Sequence, residues 1–137
     1  MPKKKNKKIL LIDDEPIIVS LYKTVFETLP FDFFVAMNKD VGLMLIQRIR
    51  PNLLLLDLIL PAPNQPELSY EEPVGLEILR EVKSNPETKE IVVLVMTNID
   101  NEKNRRIAKE LGAKDYLVKA NLDPHELVKK VSQYLNV

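Results

Sequence analysis

The sequence predicts an α/β fold, a doubly wound parallel sheet covered by helices on both faces, because five short apolar runs alternate with five stretches of helical period. Two of the runs end in acid, Lys8-Ile9-Leu10-Leu11-Ile12-Asp13-Asp14 and Asn52-Leu53-Leu54-Leu55-Leu56-Asp57. In an open sheet of this kind ligands bind beyond the carboxyl ends of the strands, where strand order reverses. If the two runs are neighbours there, three carboxylates converge in one cleft. Their mutual repulsion favours a divalent cation with oxygen ligands.

The strands are expected at Lys8–Asp13, Phe31–Ala36, Leu53–Asp57, Ile91–Met96 and Lys114–Val118. The first, third and fourth are nearly continuous aliphatic runs, the mark of parallel strands buried on both faces. Phe31–Ala36 and Lys114–Val118 are more mixed, which suits sheet edges. Helices are expected at Glu15–Leu29, Lys39–Arg50, Gly75–Ser84, Asn101–Leu111 and Pro124–Asn136. The first sets Leu21, Val25 and Leu29 on one face, with Ile17 or Ile18 a turn earlier; the second does so with Val41, Leu45 and Ile49. Gly112 closes the fourth. Asp123, Pro124 and Glu126 read as cap, first-turn proline and capping box of the last.

A chain of 137 residues fits one domain, 1–137, with a basic tail at 1–7 and an extended proline-rich loop at 62–74. Twenty basic and twenty acidic residues cancel, so net charge gives no reason to expect a nucleic-acid partner. The absence of cysteine excludes disulfides, thiol nucleophiles and cysteine-ligated metal centres, and the single histidine, His125, excludes a multi-histidine site. The apolar stretch after the lysine-rich start is too short for a signal sequence, and no run reaches the roughly 18 residues of a membrane helix. A cytoplasmic protein without membrane association is the expectation.

The residues that carry chemistry stand at the carboxyl ends of the expected strands. Asp13 and Asp14 follow the first, Asp57 ends the third, Thr97 follows the fourth and Lys119 follows the fifth. These types match transfer of a phosphoryl group onto a carboxylate. One carboxylate is the nucleophile, others hold Mg²⁺, and an ammonium and a hydroxyl bind the remaining oxygens. Alone, each has a plainer reading. Asp13-Asp14 before Pro16 caps a helix, Lys119 is a surface lysine, and Thr97 and Tyr116 are ordinary loop and edge-strand residues.

Together these residues resemble the response-regulator receiver domain of the chemotaxis (CheY-like) type, over roughly Lys7 to Val137. Leu11-Ile12-Asp13-Asp14-Glu15 resembles the family's acidic pair and Asp57-Leu58-Ile59-Leu60-Pro61 its phospho-acceptor segment. Met96-Thr97 matches the hydroxyl position, and Asp115-Tyr116-Leu117-Val118-Lys119 the aromatic–lysine segment. The resemblance implies a flavodoxin-like sheet of order 2-1-3-4-5. It implies that Asp57 accepts phosphoryl from a histidine kinase or histidine phosphotransfer protein in a two-component phosphorelay. Mg²⁺, or Mn²⁺ in its place, would be held by Asp14, Asp57 and the backbone carbonyl of Ile59, with Asp13 acting largely through water. Lys119 would pair with the acyl phosphate, Thr97 would be drawn toward it, and Tyr116 would turn inward behind Thr97. The face of the fourth helix, fifth strand and fifth helix would then change its preference for a downstream protein. Phosphorylation-dependent homodimerisation through that face stays open. No output domain is expected beyond the last helix.

The chain departs from the family pattern in five places. Ala120 follows Lys119 where the family usually has proline, commonly after a cis bond; before alanine a cis bond costs about 2.5–4 kcal/mol, so a trans path or strain is expected. Asn98 stands where a very small residue is usual. Ile59 and Ile99 occupy positions that in the family influence hydrolysis of the acyl phosphate. Their apolar bulk offers an attacking water no hydrogen bond, so slow loss of phosphoryl is expected. The loop at 62–74 is longer than the family's, and a partner-docking or partner-excluding flap or a disordered insertion are its readings.

Three other classes fit the sequence less well. A flavodoxin-like cofactor binder would want a hydroxyl- or glycine-rich loop after the first strand, where this chain has Asp-Asp-Glu-Pro. A Mg²⁺-dependent aspartyl phosphohydrolase would want a second aspartate at Ile59. A degenerate receiver serving only as a scaffold would not need the intact acids, threonine and lysine.

Overall fold

A computed structural model of the chain describes residues 5–61 and 72–137 and alternates strand with helix throughout. The elements are β1 (Lys7–Ile12), α1 (Pro16–Glu27), β2 (Phe31–Ala36), α2 (Lys39–Ile49), β3 (Leu53–Leu56), α3 (Val74–Ser84), β4 (Val92–Thr97), α4 (Glu102–Leu111), β5 (Asp115–Val118) and α5 (Pro124–Leu135). The strands form one parallel sheet in the order β2-β1-β3-β4-β5, as expected. Most of the loop expected at 62–74, residues 62–71, and the first four residues of the basic tail lie outside the described residues. Among the described residues no helix is long and apolar enough to cross a membrane.

The period of two along each strand divides the core into two layers. Leu10, Ile12, Leu54, Leu56, Val93 and Val95 pack with Ile46 of α2, Leu76 and Leu79 of α3 and Ala108 of α4. Ile9, Leu11, Leu53, Leu55, Leu94 and Met96 pack with Tyr22 and Phe26 of α1 and Leu127 and Val131 of α5. All the residues of β3 are fully buried, which is why that strand reads as unbroken leucine.

The helix faces differ from the expected stripes by about one residue. In α1 the buried residues are Tyr22 and Phe26, while Leu21 and Ile17 are exposed, the latter at 82%. The phase is set by ring area: Phe26 stacks on Phe33 with centroids 4.9 Å apart and meets Phe31 edge-on at 5.9 Å. In α2 the buried line is Gly42 and Ile46, and Val41 is exposed. A Cβ on Gly42 would come 2.7 Å from the Ile12 side chain, so the helix settles on the sheet at its one position without a side chain. Asp123 caps α5 as expected, but its carboxylate accepts from the His125 amide, and Glu126 is exposed and forms no capping box with it. β4 begins one residue later than expected because the Ile91 amide donates to the Thr88 carbonyl in a turn, and it includes Thr97.

Candidate functional site

The sheet ladder runs one step beyond β1 and β3, and this places the acids. Ile12 pairs with Ala36 on one side and Leu56 on the other. Past that pair, the Asp13 amide donates to the Ala36 carbonyl at 3.0 Å and the Asp57 amide to the Ile12 carbonyl at 3.0 Å. Asp13 and Asp57 thereby continue the alternation of Ile9/Leu11 and Leu53/Leu55, and they meet on one side of the sheet. One carboxylate oxygen from each of Asp13, Asp14 and Asp57 lies within 4.8 Å of the others. Asp13 and Asp57 are buried and Asp14 is half-buried.

Lys119 completes the cluster. Its Nζ donates to Asp13 Oδ2 at 2.8 Å, Asp57 Oδ2 at 3.0 Å and Glu15 Oε1 at 2.9 Å, with its side chain only 2% exposed. No peptide bond among the described residues is cis, so the chain passes from Lys119 to Ala120 in trans, and a single 3₁₀ turn over Lys119–Asn121 carries it. Along this trans path Lys119 reaches both buried acids. The remaining oxygens of the two buried acids are bound to backbone: Asp57 Oδ1 accepts from Ile59 N at 3.1 Å, and Asp13 Oδ1 from Glu15 N at 2.9 Å. Glu15 is the N-cap residue of α1 and no side chain caps that helix, so Asp14 is not spent as a cap.

The electrostatics are those of a charge cluster withdrawn from water. Burial pushes the Asp57 carboxyl up to about 6; the nearby Lys119 charge and hydrogen bond oppose this, and Asp13 adds to it. Burial disfavours the Lys119 ammonium, yet its hydrogen bonds to Asp13 and Glu15 and the charge of Asp57 outweigh it and raise its pKa. The lysine is thus a fixed cation. With three carboxylates around it, the site retains excess negative charge that hard oxygen donors of this kind give to Mg²⁺ or Mn²⁺. The donor set fits such an ion.

Thr97 is fully buried at the end of β4, and its hydroxyl accepts from the Ile99 amide at 3.3 Å. Tyr116 is buried, and its hydroxyl donates to the Ile99 carbonyl at 2.6 Å. Two participants were absent from the sequence reading of the site. Glu15, directly after the acidic pair and expected only to open α1, binds Lys119. Arg105 of α4 lies over the Tyr116 ring at 4.6 Å, donates to the Tyr116 carbonyl at 3.4 Å and pairs with Asp100 at 2.8 Å. A basic residue five positions after an acid carries no helical-pair signal, so only the fold could reveal it.

Comparison with known proteins agrees with this architecture. The chain is 27% identical to the protein PilH of Pseudomonas aeruginosa over 93% of its length and 97% of that protein's. It superimposes on the Mn²⁺-bound form of response regulator Rcp1 with a TM-score of 0.71 and 29% identity, covering 94% of each chain. The phosphorylated cyanobacterial phytochrome response regulator RcpA superimposes with a TM-score of 0.74 and 28% identity, over 94% of this chain and 93% of that one. The family model for the response regulator receiver domain matches residues 9–132. With a CheY-like sheet and an acid cluster at its carboxyl edge, the chain belongs to the receiver domains of two-component response regulators.

Proposed function

We propose that this chain is a phosphorylation-controlled signalling module in which Asp57 accepts a phosphoryl group from a histidine kinase or histidine phosphotransfer protein. The observation that carries this is the placement of the Asp57 carboxylate, 3.0 Å from Lys119 and within 4.8 Å of Asp13 and Asp14 oxygens. Asp13, Asp14, Asp57 and the Ile59 carbonyl would hold Mg²⁺ or Mn²⁺. That ion supplies positive charge against the phosphoryl oxygens. The Mn²⁺-bound form of Rcp1 and the phosphorylated form of RcpA support both parts of the reading.

In the transfer, an Asp57 oxygen attacks phosphorus and the phosphorus–nitrogen bond of the donor breaks, its electron pair passing to the imidazole. Lys119 keeps the transferred group paired, and the Thr97 hydroxyl turns to donate to a phosphoryl oxygen. Movement of Thr97 reaches Tyr116 through Ile99, which both contact. The α4–β5–α5 face then changes its affinity for a downstream protein in the cytoplasm, a shift between two existing arrangements. The whole chain acts as this one receiver. The phosphohydrolase reading loses support because Ile59 cannot act as a proton donor, and the scaffold reading because Lys119 binds both Asp13 and Asp57 and an Asp14 oxygen lies within 4.8 Å of theirs.

The test is incubation with Mg²⁺ and acetyl phosphate, followed by intact mass. A single phosphoryl adduct is expected, absent from Asp57→Asn and from protein treated with a chelator. An adduct that persists in Asp57→Asn would overturn the assignment.

A further inference from the structure

The ammonium of Lys119 has three hydrogens, and the resting structure uses all of them. Asp13 Oδ2 accepts at 2.8 Å, Glu15 Oε1 at 2.9 Å and Asp57 Oδ2 at 3.0 Å. These acids are not equally free to leave. The side chains of Asp13 and Asp57 are 0% and 4% exposed, and the second oxygen of each accepts from a backbone amide, that of Glu15 and that of Ile59. The Glu15 side chain is 45% exposed, and Lys119 is its only hydrogen-bond partner among the described residues. It stands at the N-cap of α1, yet it makes no capping bond. A long side chain with one bond and access to water is the ligand most easily exchanged.

We propose that Glu15 is a displaceable ligand of Lys119: a positioning residue that holds the ammonium in the unphosphorylated protein and yields its hydrogen bond to an oxygen of the arriving phosphoryl group. The proposal rests on phosphorylation of Asp57 as set out above. A saturated ammonium cannot bind a phosphoryl oxygen until one acid lets go. Asp57 must stay as the nucleophile, and a released Asp13 would be left as a buried charge without its partner. Glu15 instead swings into water, where its charge is solvated. Lys119 then keeps Asp13 on one side and the acyl phosphate on the other. No proton moves in the exchange. The bond from Asp57 to phosphorus forms as the bond from phosphorus to the donor breaks, the electron pair leaves with the donor, and Lys119 remains an ammonium. Until it leaves, Glu15 also adds negative charge on the solvent side of a cleft that must admit an anion. Both effects make Glu15 a brake on phosphoryl uptake.

The test compares wild type with Glu15→Gln, which keeps the shape of the side chain without its charge, and Glu15→Ala, which removes the ligand. Uptake from acetyl phosphate is followed by intact mass at saturating Mg²⁺, in low and in high salt. In low salt both variants should take up phosphoryl about three- to tenfold faster than wild type. The advantage of Glu15→Gln should shrink as salt rises, because its source is charge. Glu15→Ala should stay faster than wild type in high salt, because the third hydrogen of Lys119 is free there at any ionic strength. Glu27→Gln, at the far end of α1, removes a charge remote from the cleft and should match wild type. Melting temperatures should stay close to wild type, since Lys119 keeps two buried partners. Wild-type rates in both Glu15 variants, slower uptake in either, or an equal gain from Glu27→Gln would overturn the proposal while leaving Asp57 as the acceptor. An advantage of Glu15→Ala that vanishes in high salt would overturn the displacement. A wild type that gains no phosphoryl would overturn the proposal together with the reading beneath it.

Discussion

The ammonium of Lys119 lies 2.8 Å from Oδ2 of Asp13, on an acid that also belongs to the cluster suited to a divalent cation. Lysine and cation therefore compete for the same negative charge. Lys119→Ala should strengthen Mg²⁺ binding by about three- to tenfold, the effect of removing roughly 1 kcal/mol of repulsion. The same variant should melt lower without the ion, because buried carboxylates are left unpaired, and recover steeply as Mg²⁺ is added. Calorimetric titration and melting curves measure both; unchanged Mg²⁺ affinity would refute the competition.

Asp57 carries a stability cost with a defined pH window. Its carboxyl is raised to about 6 by burial, so the fold holds the proton more tightly than the unfolded chain does. Stability attributable to this group falls as pH rises from the ordinary carboxylate range through about 6, and the cost is fully present above it. Asp57→Asn should accordingly be more stable than the wild type at neutral pH, by about 1–2 kcal/mol after allowance for the lost Lys119 contact. Urea unfolding at about pH 5 and about pH 7.5 should show the gap widening with pH. A gap that narrows would contradict the burial argument.

Gly75 at the start of α3 sets the floor beneath the acceptor. A Cβ there would collide with the Asp57 carbonyl oxygen and the Leu58 Cα, and the Gly75 amide donates to the Leu58 carbonyl at 2.8 Å. Backbone cannot yield as a side chain can, so Gly75→Ala should destabilise the chain by about 1–3 kcal/mol and slow phosphoryl uptake. Gly42→Ala, which meets only the Ile12 side chain, should cost stability while leaving the uptake rate near wild type. Equal effects of the two on uptake would remove the distinction.

Ile59 bears on how long the phosphoryl group lasts. It is half-buried beside Asp57, whose Oδ1 its amide binds, and its side chain offers an attacking water no hydrogen bond. Phosphorylated wild type should lose its phosphoryl more slowly than Ile59→Asn, followed by intact mass after removal of acetyl phosphate. Faster loss from the wild type would contradict this.

Much of this architecture was legible because strands and acids obey short rules. A run such as Leu53-Leu54-Leu55-Leu56 admits few fates other than a doubly covered strand, and acids at the ends of two such runs mark the sheet's carboxyl edge. Helix faces were less legible. In α1 both Leu21/Val25 and Tyr22/Phe26 have helical spacing, and only the distant rings of Phe31 and Phe33 decide between them. In α2 the face was set by the absence of a side chain at Gly42, which a count of apolar residues overlooks. The Glu15–Lys119 contact joins positions 104 residues apart in the chain, so no local pattern announces it.

The ladder that carries Asp13 and Asp57 one step past Ile12 and Leu56 gives interior methyl groups a say in the chemistry. A slip of β3 by one residue would turn its acceptor toward the α2–α4 side, away from its partners. Variants of Leu53–Leu56 can therefore fall silent as signalling proteins while still unfolding in a single cooperative step. Mutational screens that score only abundance would pass them, because the leucines work as an alignment jig for charges at the rim.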